Sequence, residues 1–165
     1  MAQLTYDAAL VIAFPGMLAD TGSRNDVLSR ISEEAVSFPA GVALVAGTLP
    51  DTQALLPTGA ASLLGVALHS HANEVGGDDL NLIDDASAFN VLHVGRVYVQ
   101  VEEAVTPAST VFVRVVAGGG GTQLGAFRAS ADTASALAAT GARYLTSAGI
   151  AGFAVLEIDA GAAIA

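Results

Sequence analysis

The chain contains no cysteine, no tryptophan and no lysine. Without cysteine there are no disulfides, thiol nucleophiles or thiolate-bound zinc. Without lysine there is no Schiff-base chemistry and no phosphate-loop lysine. The six basic side chains are all arginines, set singly at Arg24, Arg30, Arg96, Arg114, Arg128 and Arg143 against 16 acidic residues, for a net charge of −10. Isolated arginines in an acidic background repel a phosphate backbone instead of gripping it, so no nucleic-acid partner is expected.

What is present is small and aliphatic. Hydrophobic residues make up 53% of 165 positions, much of it alanine, with 18 glycines breaking the chain. This length suits one domain with a core of its own, and valine punctuated by glycine and proline favours strands joined by turns. Mean hydropathy is +0.59, yet no bilayer span is expected. The uncharged stretch Ala35 to Pro50 holds Pro39, Gly41 and Gly47, and Thr52 to Asn73 holds Pro57, Gly59, Gly65, His69 and His71. The short apolar run Ala8 to Phe14 follows Asp7 and no basic residue, which argues against a secretory signal.

Residues 1–25 read as an N-terminal arm and 26–165 as a β-rich body. The apolar run ends at Pro15-Gly16, and Ala19 to Ser23 forms a turn-rich link. Such a run suits either an edge strand of its own domain or an extended arm added to a neighbour's sheet. Val27 to Ser37 fits a capped helix or, better, a strand leading to a second strand from Val42 to Gly47. Leu64, Val66 and Leu68 alternate with Gly65, Ala67 and His69, giving one buried and one outward face. Leu92 and Val94 read as an inward pair followed by Val97, Val99 and Val101, so the phase slips near Gly95, where a bulge or bend is expected. Val111, Val113 and Val115 alternate in the same way before the run Gly118 to Gly121. Short strands are expected at Leu124 to Arg128, Arg143 to Thr146 and Gly152 to Ile158. Ala131 to Ala139 has helical composition without an apolar stripe and reads as a loop or one or two turns. The pattern is mainly β, a compact barrel or sandwich of short strands with an extended N-terminal arm.

Four signals invite chemistry. His69 and His71 share a strand face near Glu74, Asp78 and Asp79, but no second fixed ligand pair completes a zinc site. The acidic run Asp78 to Asp85 departs from calcium-loop spacing and reads as a solvated loop. The run Gly118 to Gly121 lacks the Lys-Ser or Lys-Thr that follows a phosphate loop. No Gly-x-Ser-x-Gly elbow is present, and the adjacent pairs Glu33-Glu34 and Glu102-Glu103 would point to opposite faces of a strand. No catalytic, cofactor or metal residue is assigned.

Several segments, in order, resemble the structural cement (capsid decoration) proteins of tailed bacteriophages. They are Pro15-Gly16-Met17-Leu18-Ala19-Asp20, Arg30-Ile31-Ser32-Glu33-Glu34 before Phe38-Pro39-Ala40-Gly41, and Leu64-Gly65-Val66-Ala67-Leu68-His69. Further on come Val94-Gly95-Arg96-Val97-Tyr98-Val99, then Pro107-Ala108-Ser109-Thr110-Val111-Phe112-Val113-Arg114, Gly125-Ala126-Phe127-Arg128 and Tyr144-Leu145-Thr146-Ser147-Ala148. Pro107-Ala108-Ser109 departs from the glycine-containing turn usual there. The resemblance implies a non-enzymatic clamp on the outer capsid surface, bound over junctions between major capsid protein subunits. It supplies no catalytic residues, and no cofactor, membrane or nucleic-acid partner is expected. A host- or glycan-binding virion module is the alternative, disfavoured by three tyrosines and no tryptophan for stacking on sugars. The expected contact residues are Leu10, Val11, Ile12, Phe14, Met17, Leu18, Arg24 and Arg30. The expected assembly is a homotrimer, with a homodimer as the alternative.

Overall fold

Valine-rich alternation produces strands throughout. The computed structural model describes residues 13–20, 24–70, 82–118 and 122–165, and among these every regular element is a strand. In chain order they are β1 (Asp26–Ser32), β2 (Phe38–Pro39), β3 (Ala43–Ala46), β4 (Gln53–Leu55), β5 (Ala61–Ala67), β6 (Leu82–Ile83) and β7 (Ala88–Gln100). Then follow β8 (Phe112–Arg114), β9 (Phe127–Arg128), β10 (Ala136–Tyr144) and β11 (Phe153–Ile164). Val27 onwards is thus strand, not helix. The Ala131 to Ala139 segment divides into a turn and the start of β10, because Ala136 to Tyr144 finds partners on β8 and β11.

The main sheet runs β1-β4-β3-β5-β7-β11-β10-β8-β9, and β2 and β6 form a separate two-stranded sheet among the described residues. Two extra pairings, β1–β7 and β5–β11, bend it into a sandwich-like form. One of them closes a circuit, since β1, β4, β3, β5 and β7 each pair with the next and β7 returns to β1. All these pairings are antiparallel except β1 with β4.

The long strand β7 belongs to both halves. From Ala88 to Val94 it pairs with β1, and from Gly95 to Gln100 it pairs with β11. The switch falls at Gly95, with φ +135°, where a side-chain methyl would sit 2.2 Å from Oδ1 of Asn25. Only glycine combines that backbone angle with that approach. The expected slip is therefore real, but the inward residues before it differ from the simple alternation. Val91 and Leu92 are both fully buried and Val94 is only half-buried. The reason is a core on each face. Phe89 and Val91 join a small core with Phe38, Val42, Leu44, Ala67 and Ile83. Leu92, Val97 and Val99 join the large one with Val45, Leu63, Val66, Leu156 and Ile158. For the same reason β5 has no outward face near its end: Gly65 to Leu68 are buried throughout. Val111, Val113 and Val115 are buried in the large core as their alternation suggests.

Gly95→Ala should lower the unfolding free energy by about 2 kcal/mol or more, combining backbone strain with a steric clash. Urea titration followed by far-UV circular dichroism checks this, with an unchanged native strand signal at zero denaturant.

Candidate functional site

The sequence-expected contact residues fall into three groups. Leu10, Val11 and Ile12 lie outside the described residues. Phe14, Met17 and Leu18 lie on a segment laid along the outer edge of β7. There the Gly16 N–H donates to Tyr98 O (2.8 Å), the Tyr98 N–H to Met17 O (2.8 Å) and the Ala19 N–H to Arg96 O (3.0 Å). Residues 13–20, read from sequence as part of a separate arm, are in this way built into the body. Ala13 is buried, and Leu18 bridges to Val97 and packs on the large core. What leaves the surface free is Phe14 and Met17, 38% and 45% exposed. The Phe14 ring lies 5.5 Å from the imidazole of His69.

Glycine fixes this segment. Gly16 has φ +79°, and a methyl there would approach Ala67 O to 2.6 Å and His69 N to 2.7 Å. The close approach lets the His69 N–H donate to Gly16 O (2.9 Å), tying the segment to the end of β5.

Arg24 is exposed and Arg30 half-buried. Arg24 lines a shallow cavity of about 220 Å³ with Asp20, Asn25, Arg96, Glu157 and Asp159. In its wall Arg96 Nε donates to Glu157 Oε1 (2.9 Å) and Arg96 Nη1 reaches Asp20 Oδ2 (3.4 Å), while Arg143 pairs with the other Glu157 oxygen. Burial pushes the Glu157 carboxyl up, but the hydrogen bonds and charges of Arg96 and Arg143 outweigh it and hold it below the usual carboxylate range.

The four chemical signals stay apart. His71, Glu74, Asp78 and Asp79 lie outside the described residues, as do Gly119 to Gly121. Among the described residues no group of three or more His, Asp or Glu is placed to hold a metal ion. Asp84 accepts from the Ser37 hydroxyl (2.5 Å), so this end of the acidic run belongs to a turn. Glu33 and Glu34 follow the end of β1 and serve separate loops, Glu33 at Thr48 and Glu34 at the Leu56 N–H (2.6 Å).

Glu102 and Glu103 do not point apart. β7 ends at Gln100 and the chain bends, which turns both carboxylates onto Arg128: Oε2 of Glu102 is 3.1 Å from Nη1 and Oε1 of Glu103 is 3.2 Å from Nε. Arg114, from β8, grips Glu102 with Nε (2.8 and 3.0 Å) and Nη2 (2.7 Å). Its Nη2 also reaches Asp132 Oδ2 (2.8 Å), which takes a further bond from Arg128 Nη1 (2.9 Å). The Tyr144 hydroxyl donates to Arg128 O (3.0 Å) from below. Both arginines are buried. Asp132, Thr133 and Ala134 form a left-handed turn with φ of 45°, 54° and 69°. Such a turn costs about 1–2 kcal/mol per residue, and the two guanidinium groups on Asp132 offset that cost. Nothing in local periodicity announces this cluster. Its one sequence signal is an arginine ending each of two valine- or phenylalanine-rich strands, Val113-Arg114 and Phe127-Arg128.

The cluster sets the titration behaviour. Hydrogen bonding from Arg114, with the charges of both arginines, holds Asp132 below its ordinary range against partial burial. Burial raises Glu103, but the Ser130 hydroxyl, the Ala129 N–H and the Arg128 charge outweigh it and the net shift is downward. Burial, then the Glu103 charge, pushes the Tyr144 hydroxyl up. A depressed carboxylate stabilises the fold above its unfolded value of about 4 and loses that contribution as pH falls through the folded value. A raised phenol stabilises below its unfolded value of about 10 and loses that contribution as pH rises through the folded one.

Arg114→Met should cost about 3 kcal/mol near pH 7, because it removes the main cation on Glu102 and leaves that carboxylate and Asp132 sharing only Arg128. It should also flatten the loss of stability below about pH 4. The alkaline loss above about pH 10 should be weaker in Tyr144→Phe. Unfolding free energies across pH for the three proteins check both limbs.

Comparison with known proteins bears on the whole chain. No curated protein matches it. A chain of the solved structure "The capsid of Myoviridae Phage XM1" superposes with a TM-score of 0.69 at 14% identity, covering 96% of this chain and 99% of that one, a likeness of fold. The family model for the structural cement protein (E217 gp24/Pam3 gp6) matches residues 2–159. The chain belongs to the structural cement protein family of phages.

Proposed function

We propose that this cement protein sits on the outer surface of the phage head, spans junctions between major capsid protein subunits and stabilises their contacts against internal DNA pressure. The observation that carries the reading is the family match over residues 2–159. The physical features agree with it. The body is braced by two cores and a buried ion cluster, and Phe14 and Met17 stand out on a segment fixed to β7. A rigid apolar pair presented this way suits binding by buried area, with little ordering cost on contact. A standard interface of about 1,200–2,000 Å² per site, repeated over a lattice, turns modest contacts into firm attachment. Leu10, Val11 and Ile12 would extend the same apolar surface, and Arg24 beside it would pair with a capsid carboxylate. The protein acts as a closed oligomer, a homotrimer or a homodimer, and needs no cofactor.

The test is DNA release against temperature for heads saturated with each variant. Phe14→Asp with Met17→Asp should weaken attachment at least about 100-fold and return DNA release to the temperature of undecorated heads. Deleting residues 1–12 should weaken attachment while leaving the isolated body folded. His69→Ala should leave head stability near that of the unaltered protein. Copies confined to vertices or tail, with no rise in head stability, would overturn the reading in favour of a host- or glycan-binding module.

A further inference from the structure

We propose that β1 is a self-pairing edge, through which two copies join antiparallel about a two-fold axis passing beside Leu28. Four of the six arginines, Arg96, Arg114, Arg128 and Arg143, are ion-paired within the chain. Arg30 is different. Among the described residues its Nη1 donates only to the adjacent Ser29 O (2.9 Å), its Nε is buried with no hydrogen-bond partner, and no carboxylate pairs with it. Asp26, four residues earlier on the same strand and exposed, likewise has no side-chain partner among the described residues.

The backbone of β1 is open over the same residues. On its inner side β1 pairs with β7 from Asp26 to Ile31. On its outer side β4 reaches only Ile31 and Ser32, with the Ile31 N–H donating to Thr52 O and the Glu33 N–H to Ala54 O. The odd-numbered residues therefore direct their main-chain groups outward, and those of Val27 and Ser29 meet no strand among the described residues. Val27 and Ile31 are also exposed hydrophobics. An unpaired edge with apolar side chains is a template for another strand.

The sequence of this edge, Asp26-Val27-Leu28-Ser29-Arg30, is complementary to itself. Antiparallel pairing centred on Leu28 sets Val27 opposite the partner's Ser29 and Ser29 opposite the partner's Val27. Each couple exchanges two main-chain bonds, about four in all. The same register sets Asp26 opposite the partner's Arg30, and Arg30 opposite the partner's Asp26. Opposite charges directly across antiparallel strands favour that register, and like charges would oppose any slip that aligned them. The five residues involved are those that β4 leaves uncovered. This inference concerns the chain in solution and stands whether or not the capsid reading does.

The absence of cysteine makes a direct test available. Leu28 and the partner's Leu28 would form a non-hydrogen-bonded pair with Cα atoms about 4.5 Å apart, within disulfide reach. Leu28→Cys should oxidise to a covalent dimer in high yield, whereas Val36→Cys, exposed in the following turn, should not. Asp26→Arg or Arg30→Asp should weaken dimerisation at least tenfold in sedimentation equilibrium, and the double exchange should restore it. A chain that stays monomeric at high concentration would overturn the proposal. So would a dimer or trimer that ignores the charge exchange and leaves Leu28→Cys uncrosslinked. The cysteine variants keep the charges in place, so the proposal remains falsifiable if a charge variant misfolds.

Discussion

Everything in this fold hangs on the change of partners along β7. Its first half closes a circuit with β1, β5 and the strands between, and its second half carries β11 and, through it, β10, β8 and β9. A continuous flat strand could not serve both, because each side requires its own twist and its own set of inward residues. Gly95 resolves the conflict by taking a backbone angle closed to other residues, at a point where Asn25 leaves no room for a side chain. The N-terminal segment then completes the strand. Residues 16–19 cover the edge of β7 opposite β11, so that its second half is paired on both sides.

The second organising constraint is charge. A chain of net charge −10 with six arginines repels itself, and the structure answers by drawing carboxylates together around four of those arginines. Arg114 and Arg128 bind three carboxylates where the chain leaving β7 meets the paired strands β8 and β9. Arg96 and Arg143 do the same for Glu157 between β7, β10 and β11. Such pairs add little by Coulomb energy alone once desolvation is counted. Their effect here is to fix geometry: a bent chain after Gln100 and a left-handed turn at Asp132 that no local preference would select.

Much of this was legible in the sequence. The alternation of Val97, Val99 and Val101, and of Val111, Val113 and Val115, marks buried strands because a half-buried strand needs little more than that period. Gly95 stood out because the phase changed there. The same rule failed at Leu64 to Leu68 and at Val91-Leu92, since a strand covered on both faces no longer alternates and local sequence does not say what covers it. The ion cluster was hidden for a related reason. Arg114, Glu102 and Asp132 come from three elements, and only the tertiary fold brings them within 3 Å. Of the expected contact residues, Phe14 and Met17 are exposed, whereas Leu18 belongs partly to the core. Periodicity could not separate them, because an edge strand docked on its own body and an arm reaching for a neighbour share the same apolar pattern.

The same ambiguity explains how one surface can be rigid and adhesive together. A clamp that acts by contact area must hold its own shape more firmly than it holds its target, or binding energy is lost in ordering the clamp. Tying residues 13–20 to β7 and β5 meets that need, for the apolar side chains that remain exposed ride on backbone already hydrogen-bonded at both sides. The unpaired stretch of β1 is the counterpart. It keeps its strand form through β7 while one row of its main-chain groups meets no strand among the described residues. Those groups, with Asp26 and Arg30 beside them, are polar and directional where Phe14 and Met17 are apolar. Contact made through them would be set by register, whereas contact through the apolar pair would be set by area. Two surfaces governed by different physics can be filled independently, so association between copies need not compete with attachment to the head.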